Sequence, residues 1–295
     1  MSTRILERSP SVLPLYVRAA APLIPGASLL PFLPGGGGEI PPLDLKLAGV
    51  RAKPKALASY ARVCGFALRD HLPPTFPHVL AFPLHMAVMA DGGFPFGAVG
   101  LIHIENRIEQ RRRIEIGEEL ELDVEPTKLM PHRMGRTFSL LTEVSADGEK
   151  VWQSTSTMLH RGGGETSVSA KPNHKGDPID AESFPASAEW RLDGDLGRRY
   201  AAVSGDRNPI HMYSLSAKAL GFPGAIAHGM WTMARCLAAL ESRLPNALTI
   251  AVKFRRPIVL PARVAFGSQE TDGQLRFFVR DSTRRSPHLE GSLKG

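Results

Sequence analysis

An acid, a carboxamide, a proline and an imidazole fall within six residues in Asp206-Arg-Asn-Pro-Ile-His211. Neighbours on one face of a regular helix lie three or four positions apart, so Asp206 and His211, five apart, would diverge on one. Pro209 changes this. Its fixed φ, and the extended bias it puts on Asn208, make Asp-Arg-Asn-Pro a turn from which both side chains can converge on one pocket. Asn208 can then bond the local backbone and hold the turn. The same residues would serve as a plain loop before a short helix, Ser214 to Leu220, closed by Gly221.

The pattern is turned towards chemistry by the next segment, Gly221-Phe-Pro-Gly-Ala-Ile-Ala-His-Gly-Met230. Met230, Met233, Ala234, Leu237, Ala238 and Leu240 recur with helical period and predict a helix from Gly229 to about Arg243. A glycine in its first turn leaves N–H groups bare at the positive end of the helix dipole, where a developing oxyanion can sit. Acid, imidazole and oxyanion donors are the parts needed to add water across an enoyl thioester or to remove it. One group takes a proton from water as it attacks the β-carbon, another gives a proton to the α-carbon, and the carbonyl oxygen gathers enolate charge.

The stretch from Tyr200 to Met230 resembles the signature of the MaoC-like, (R)-specific enoyl-CoA hydratases and dehydratases, which are hot-dog-fold enzymes. Tyr200, Gly205, Asp206, Asn208, Pro209, Ile210, His211, Ala217, Phe222, Pro223, Ala227, His228 and Gly229 all stand at family positions. The resemblance implies that Asp206 and His211 grip the water, that Asn208 and Tyr200 support them, and that the Gly229 amide polarises the thioester carbonyl. It leaves open which of the pair gives or takes each proton. His228 is expected to be a hydrogen-bonded scaffold residue rather than a catalyst.

The chain reads as two related halves. Glu105 to Leu122 aligns without a gap on Thr249 to Phe266, and Tyr60-Ala-Arg-Val-Cys-Gly65 echoes Tyr200-Ala-Ala-Val-Ser-Gly205. Each half predicts a long helix, Pro77 to Ala90 and Gly229 to Arg243, followed by strands. These lie at 100–112, 118–126, 136–145 and 150–160, and again at 249–256, 263–270, 274–280 and 288–293. The resemblance, covering about residues 40 to 295, implies an α+β double hot-dog fold like that of the two-unit 3-hydroxyacyl-thioester dehydratases of mycobacteria and other bacteria. The expected organisation is an arm (1–39), a non-catalytic unit housing the acyl tail (40–161), a linker (162–185) and a catalytic unit (186–295).

After Gly65 the first half has no Asp-x-Asn-Pro-x-His and no Ala-His-Gly, and Asp70 and His71, being adjacent, are expected to point apart. Pro83 inside the first helix either bends it or splits it in two. Phe76, Val79, Leu84, Met86 and Met89 are the expected apolar wall for an acyl tail, although a core would use the same residues. His78, His85 and His103 have no partner at ligand spacing, and no pair of His, Cys or carboxylates sits at zinc-like spacing with a fitting second pair elsewhere, so no metal is expected. Of the cations on equivalent strands, Arg255 and Arg256 are expected to meet the phosphates of coenzyme A or of a carrier-protein arm, and Arg111, Arg112 and Arg113 to be solvated.

With 43% hydrophobic residues in 295, the chain can bury two cores or one double core. Its net charge of +7 favours anionic partners. Nucleic acid is set aside: no recognition motif and no aromatic-interleaved basic stripe is present, with 3 Trp and 4 Tyr in all. Cys64 and Cys236, in apolar settings, fit reduced core thiols of a cytoplasmic protein. Prolines interrupt the N-terminal apolar stretch, so an integral membrane segment is not expected, and a short helix with an extended arm is.

The activity this implies is that of a hydro-lyase of fatty-acid metabolism, a 3-hydroxyacyl-thioester dehydratase or trans-2-enoyl-CoA hydratase. It would need no cofactor beyond the thioester carrier, coenzyme A or acyl carrier protein, and a homodimer is compatible with it. The alternatives are a hot-dog acyl thioesterase, whose water would attack the carbonyl carbon, and a non-catalytic acyl-thioester binding module.

Overall fold

The computed structural model describes residues 2–20, 34, 38–162, 185–271 and 273–295. The expected linker lies almost wholly outside these. The arm contributes strand β1 (Ser2–Leu6) and helix α1 (Val12–Ala20). The first half then runs β2 (Leu43–Val50), α2 (Pro54–Cys64), α3 (Phe76–Met89), β3 (Ile102–Gln110), β4 (Leu120–Pro126), β5 (Met130–His132), β6 (Gly135–Ala146) and β7 (Glu149–Arg161). The second runs β8 (Ala188–Leu192), α4 (Leu196–Ser204), α5 (Pro209–Met212), α6 (Ser214–Ala219), α7 (Gly229–Ala239), β9 (Leu248–Phe254), β10 (Ala262–Thr271), β11 (Gln274–Asp281) and β12 (Pro287–Lys294).

Among the described residues the strands form a single sheet in the order β1-β2-β4-β6-β7-β3-β9-β12-β11-β10-β8, with β5 on β6. Without β1 and β5 this order is symmetric about the β3–β9 pair, each half contributing five strands in the same sequence outward. At the centre Arg107 pairs with Ala251, the residue on which it falls in the ungapped match of the halves. A pseudo-twofold axis through that pair is what a tandem repeat produces when its two central strands meet antiparallel. β2 and β8, which open the halves, are strands that periodicity did not single out, and β1 adds a parallel edge to β2.

The alternating burial of β6 is that of a strand with one face in the core. α3 is apolar nearly all round and buried along its length, as a helix wrapped by a sheet must be. Pro83 lies inside this one continuous helix rather than dividing it. α2 and α4 both stop at a left-handed glycine, Gly65 (φ 86°) and Gly205 (φ 78°), each N–H closing on the residue four back. One buried apolar cluster runs through both halves, joining Met86, Ile108, Met233, Ile250 and Val252. Cys64 and Cys236 are free and buried within it, and burial pushes the Cys64 thiol up to about 12. Among the described residues no helix is long and apolar enough to cross a membrane.

Candidate active site

Gly205 ends α4, and the chain leaves it in the Asp206–Asn208 turn. Asn208 caps α5, its side-chain oxygen accepting from the Ile210 N–H at 3.4 Å, and Pro209 occupies the first helical position, where a missing N–H costs nothing. The single turn of α5 then brings His211 round to the side of Asp206. Two contacts seat it. The Ile226 N–H donates to the Ile210 carbonyl at 3.0 Å, and His211 Nδ1 donates to the Ile226 carbonyl at 2.8 Å. The segment 225–227 is itself strapped to 258–260 by Ala227 N–H to Ile258 O at 2.9 Å and Leu260 N–H to Ala225 O at 2.8 Å. Because a carbonyl can only accept, the Nδ1 bond fixes the neutral tautomer of His211 and leaves its Nε2 lone pair free.

A small residue allows this approach. A Cβ on Gly197, in α4, would run into the His211 backbone carbonyl. His228 lies flat against His211, ring centroids 3.7 Å apart, and its Nε2 donates to the Asp206 backbone carbonyl at 3.0 Å. It is thus hydrogen-bonded into the loop, and the buried Tyr200 ring packs against it at 4.8 Å between centroids. His228 is the N-cap of α7 but forms no side-chain cap bond, so the first-turn N–H groups of α7 stay unclaimed by it. Gly229 and Met230 open these donors onto a cavity of about 190 Å³ that Asp206, Asn208 and His211 also line. The Phe254 ring lies close under Gly229, 3.0 Å from where a Cβ would be.

The Asp206 side chain is partly exposed to the cavity. Burial by itself would raise its carboxyl; the imidazoles of His228 and His211, the Tyr16 hydroxyl and the Asn208 amide reverse this and hold it below the usual carboxylate value. Burial lowers His211 and outweighs the nearby Asp206 and the Ile226 carbonyl, and it pushes His228 down to about 3. At neutral pH the site therefore holds one carboxylate and two neutral imidazoles.

Sequence spacing did not reveal every partner. Tyr16 of α1 donates its hydroxyl to Asp206 Oδ1 at 2.8 Å and accepts from the Arg207 N–H at 2.8 Å. Ser204 accepts from the Asp206 N–H at 3.2 Å. Nothing in the spacing of a residue so far upstream marks it as a site residue. Asp206, His211 and His228 also each offer a ligand atom within 4.8 Å of the others, a grouping able to hold a metal ion. One nitrogen of each ring is already committed to a backbone carbonyl.

Four expectations are overturned by the fold. Asp70 and His71 do not point apart: His71 Nδ1 lies 2.8 Å from Asp70 Oδ1, a surface pair with Asp70 86% exposed, and neither lines the cavity. Of the expected wall residues only Met89 faces the cavity. Phe76, Leu84 and Met86 are turned into the core and Val79 packs against it, because α3 presents its 78, 82, 85, 89 face to the space. On that face His78 and His85 meet at 4.9 Å between ring centroids, and His103 of β3 stacks on His78 at 6.2 Å, so the fold gathers histidines that had no partner in sequence.

Arg255 and Arg256 both line the exposed end of the cavity. Arg255 is held by Glu290, with Nε and Nη2 at 2.9 and 2.6 Å from Oε2, whereas Arg256 forms no ion pair among the described residues. Arg112 of the first set is engaged by Glu118 through two bonds of 2.9 and 2.8 Å rather than merely solvated.

Residues 177–291 match the family model described as MaoC like domain. Over 287 residues, 97% of this chain and 99% of the other, the sequence is 36% identical to 3-hydroxyacyl-thioester dehydratase X of Mycobacterium tuberculosis. The chain belongs to the MaoC-like family. The crystal structure of that mycobacterial protein, HtdX, superposes with a TM-score of 0.76 at 34% identity, covering 85% of this chain and 99% of that one. A MaoC-like dehydratase from Phytophthora capsici shares the fold, with a TM-score of 0.70 at 18% identity over 86% of this chain and 95% of its own. The MaoC-like double hot-dog architecture thus spans both halves, while the family model itself falls on the second, where the Asp206–His211 turn lies.

Proposed function

We propose that this MaoC-like protein is an (R)-specific 3-hydroxyacyl-thioester dehydratase and trans-2-enoyl-thioester hydratase of fatty-acid metabolism, with one active site, in the second half. The observation that carries the reading is the convergence of an ionised Asp206 and a His211 of fixed tautomer on a cavity that also receives the first turn of α7. The near full-length similarity to a 3-hydroxyacyl-thioester dehydratase supports it.

In the hydration direction a water held between Asp206 and His211 attacks the β-carbon. Its O–H bond breaks as the C–O bond forms, and the proton passes to the free Nε2 of His211. The electron pair of the double bond moves to the thioester oxygen, which the Gly229 end of α7 receives. The imidazolium then returns the proton to the α-carbon, while Asp206 stays ionised and balances the transient positive charge. Dehydration is the reverse. Asn208 holds the turn, and Tyr200 and His228 hold the imidazole face.

Arg256, unpaired among the described residues at the exposed end of the cavity, is the cation best placed for a phosphate of coenzyme A or of a carrier-protein arm, with Arg255 beside it. The chemistry asks for no metal or other cofactor, so a chelator should leave the rate unchanged. We assign the protein to the cytoplasm, where reduced thiols such as Cys64 and Cys236 persist.

The test is loss of enoyl absorbance on mixing the protein with crotonyl-CoA and a longer trans-2-enoyl-CoA, beside Asp206→Asn. Rapid loss abolished by the substitution, with a product of R configuration, is expected. Release of free thiol at constant enoyl absorbance would replace the reading with a thioesterase. No change with either coenzyme A or acyl-carrier-protein thioesters would leave a binding module.

A further inference from the structure

The arm preceding the two halves sends one polar group into the loop that carries Asp206. Val12, Leu15 and Tyr16 of α1 pack on the apolar core, with α1 lying against α3. Val12 also comes within 3.9 Å of where a Cβ on Gly205 would be, beside the same turn. Tyr16 itself does not line the cavity.

The polarity of its hydroxyl is settled by its two partners. The Arg207 N–H can only donate, so the phenol oxygen accepts there, and its single proton goes to Asp206 Oδ1. Oδ1 also accepts the Asn208 N–H at 3.1 Å. One carboxylate oxygen is thereby saturated from behind the loop. The other, Oδ2, lies 3.8 Å from His228 Nε2, beyond hydrogen-bonding distance.

We propose that Tyr16 is a positioning residue for the hydration and dehydration reaction, fixing the rotation of the Asp206 carboxylate so that Oδ2 alone is presented to the water. This rests on the reading of Asp206 as one of the pair that grips water, and extends the active site to an element outside both repeat units. The groups facing Asp206 are His211 and His228, with Tyr200 beyond them on α4, His78 on α3, His103 on β3 and Tyr16 on α1. Of these Tyr16 donates a hydrogen bond to the carboxylate without reaching the cavity.

Tyr16→Phe in the full-length chain keeps the ring and its packing and removes only the hydroxyl. A carboxylate free to rotate should lower kcat by roughly tenfold, the scale of one lost hydrogen bond to a charged group. KM should stay within about twofold, since the group does not meet substrate, and the melting temperature should hold. The acid side of the pH–rate profile should move to higher pH, because the ionised carboxylate loses a donor. Leu15→Ala, which loosens the arm's packing without touching the loop bond, serves as the control and should lower melting temperature more than kcat.

Wild type and Asp206→Asn are run alongside. An active wild type, an inactive Asp206→Asn and a Tyr16→Phe within twofold of wild type would overturn the role of Tyr16 and leave the catalytic reading standing. A kcat loss matched by a fall in melting temperature, or a loss of kcat/KM that lies wholly in KM, would also overturn it. A wild type inactive on every enoyl thioester would remove both.

Discussion

Tyr60 to Gly65 and Tyr200 to Gly205 close their helices in the same way, with the two tyrosine rings 6.2 Å apart across the pseudo-twofold axis, yet the chain beyond each glycine takes a different course. In the first half the chain is drawn onto its own strand connection: Leu72 N–H bonds Ile114 O and Ile116 N–H bonds Asp70 O, both at 2.8 Å. The start of α3 is packed shut, with the Tyr60 hydroxyl on Thr75 and the Trp152 indole on the Pro74 carbonyl, each at 2.8 Å. In the second half the start of α7 opens onto the cavity, and the turn before it holds an acid and an imidazole. Where α4 has Gly197 to let the His211 backbone approach, the matching place in α2 is filled by buried Leu57. The repeat supplies the scaffold twice, and a handful of side chains decide which copy can do chemistry.

The contrast is broken most sharply by exchanging like for like. Asp206→Asn and His211→Ala should each cost about 10²–10⁴-fold in kcat, while Asp70→Asn and His71→Ala, measured by the same enoyl absorbance, should leave the rate unchanged. Next comes the helix pair. Gly197→Ala forces a side chain against the His211 carbonyl and should lower kcat by about 10²-fold through misplacement of the imidazole. Leu57→Ala should instead appear in denaturant unfolding as a loss of about 2–5 kcal/mol, the usual cost of emptying a core site, with kcat preserved in the folded fraction.

Gly229→Ala makes a smaller change, since the Phe254 ring need shift only a few tenths of an ångström; roughly a tenfold fall in kcat at similar stability is expected. The mildest effect concerns pH. Burial pushes His78 down to about 4 and His103 down to about 3, and holds His85 well below the ordinary imidazole value. Their folded values lie below the unfolded value near 6.5, so the unfolded chain binds more protons in that window and stability falls as pH drops from about 6.5 towards 4. His78→Phe should make thermal melts between pH 7 and 4.5 less steeply pH-dependent while leaving the pH–rate profile in place.

Periodicity found most of the sheet because nearly every long strand has one face in the core; β6 alternates from Phe138 to Ala146, and the apolar repeat places the helix that starts at Gly229, which ends at Ala239 rather than near Arg243. It passed over Ser2–Leu6, Leu43–Val50 and Ala188–Leu192, strands whose place depends on the neighbours they pair with. It also assigned the wrong face of α3 to the cavity, for a helix apolar nearly all round carries no sign of which side is hollow. Asp70 and His71 were expected to diverge because adjacent side chains on a regular element do. Outside any regular element they found one another.

What the chain determined on its own was local. Pro209 and Asn208 shape the turn, Gly205 and Gly65 stop the helices, and the repeated pattern calls for two like units, all through torsional and hydrogen-bond preferences that act over a few residues. Tertiary structure alone decided which atoms share a space. It set the Ile226 carbonyl that fixes the His211 tautomer, gathered His78, His85 and His103 on one wall, and brought the Tyr16 hydroxyl to Asp206 from the other end of the chain. Those contacts form only when the buried cores of the two halves close, because proximity across such sequence distances is set by packing and not by spacing.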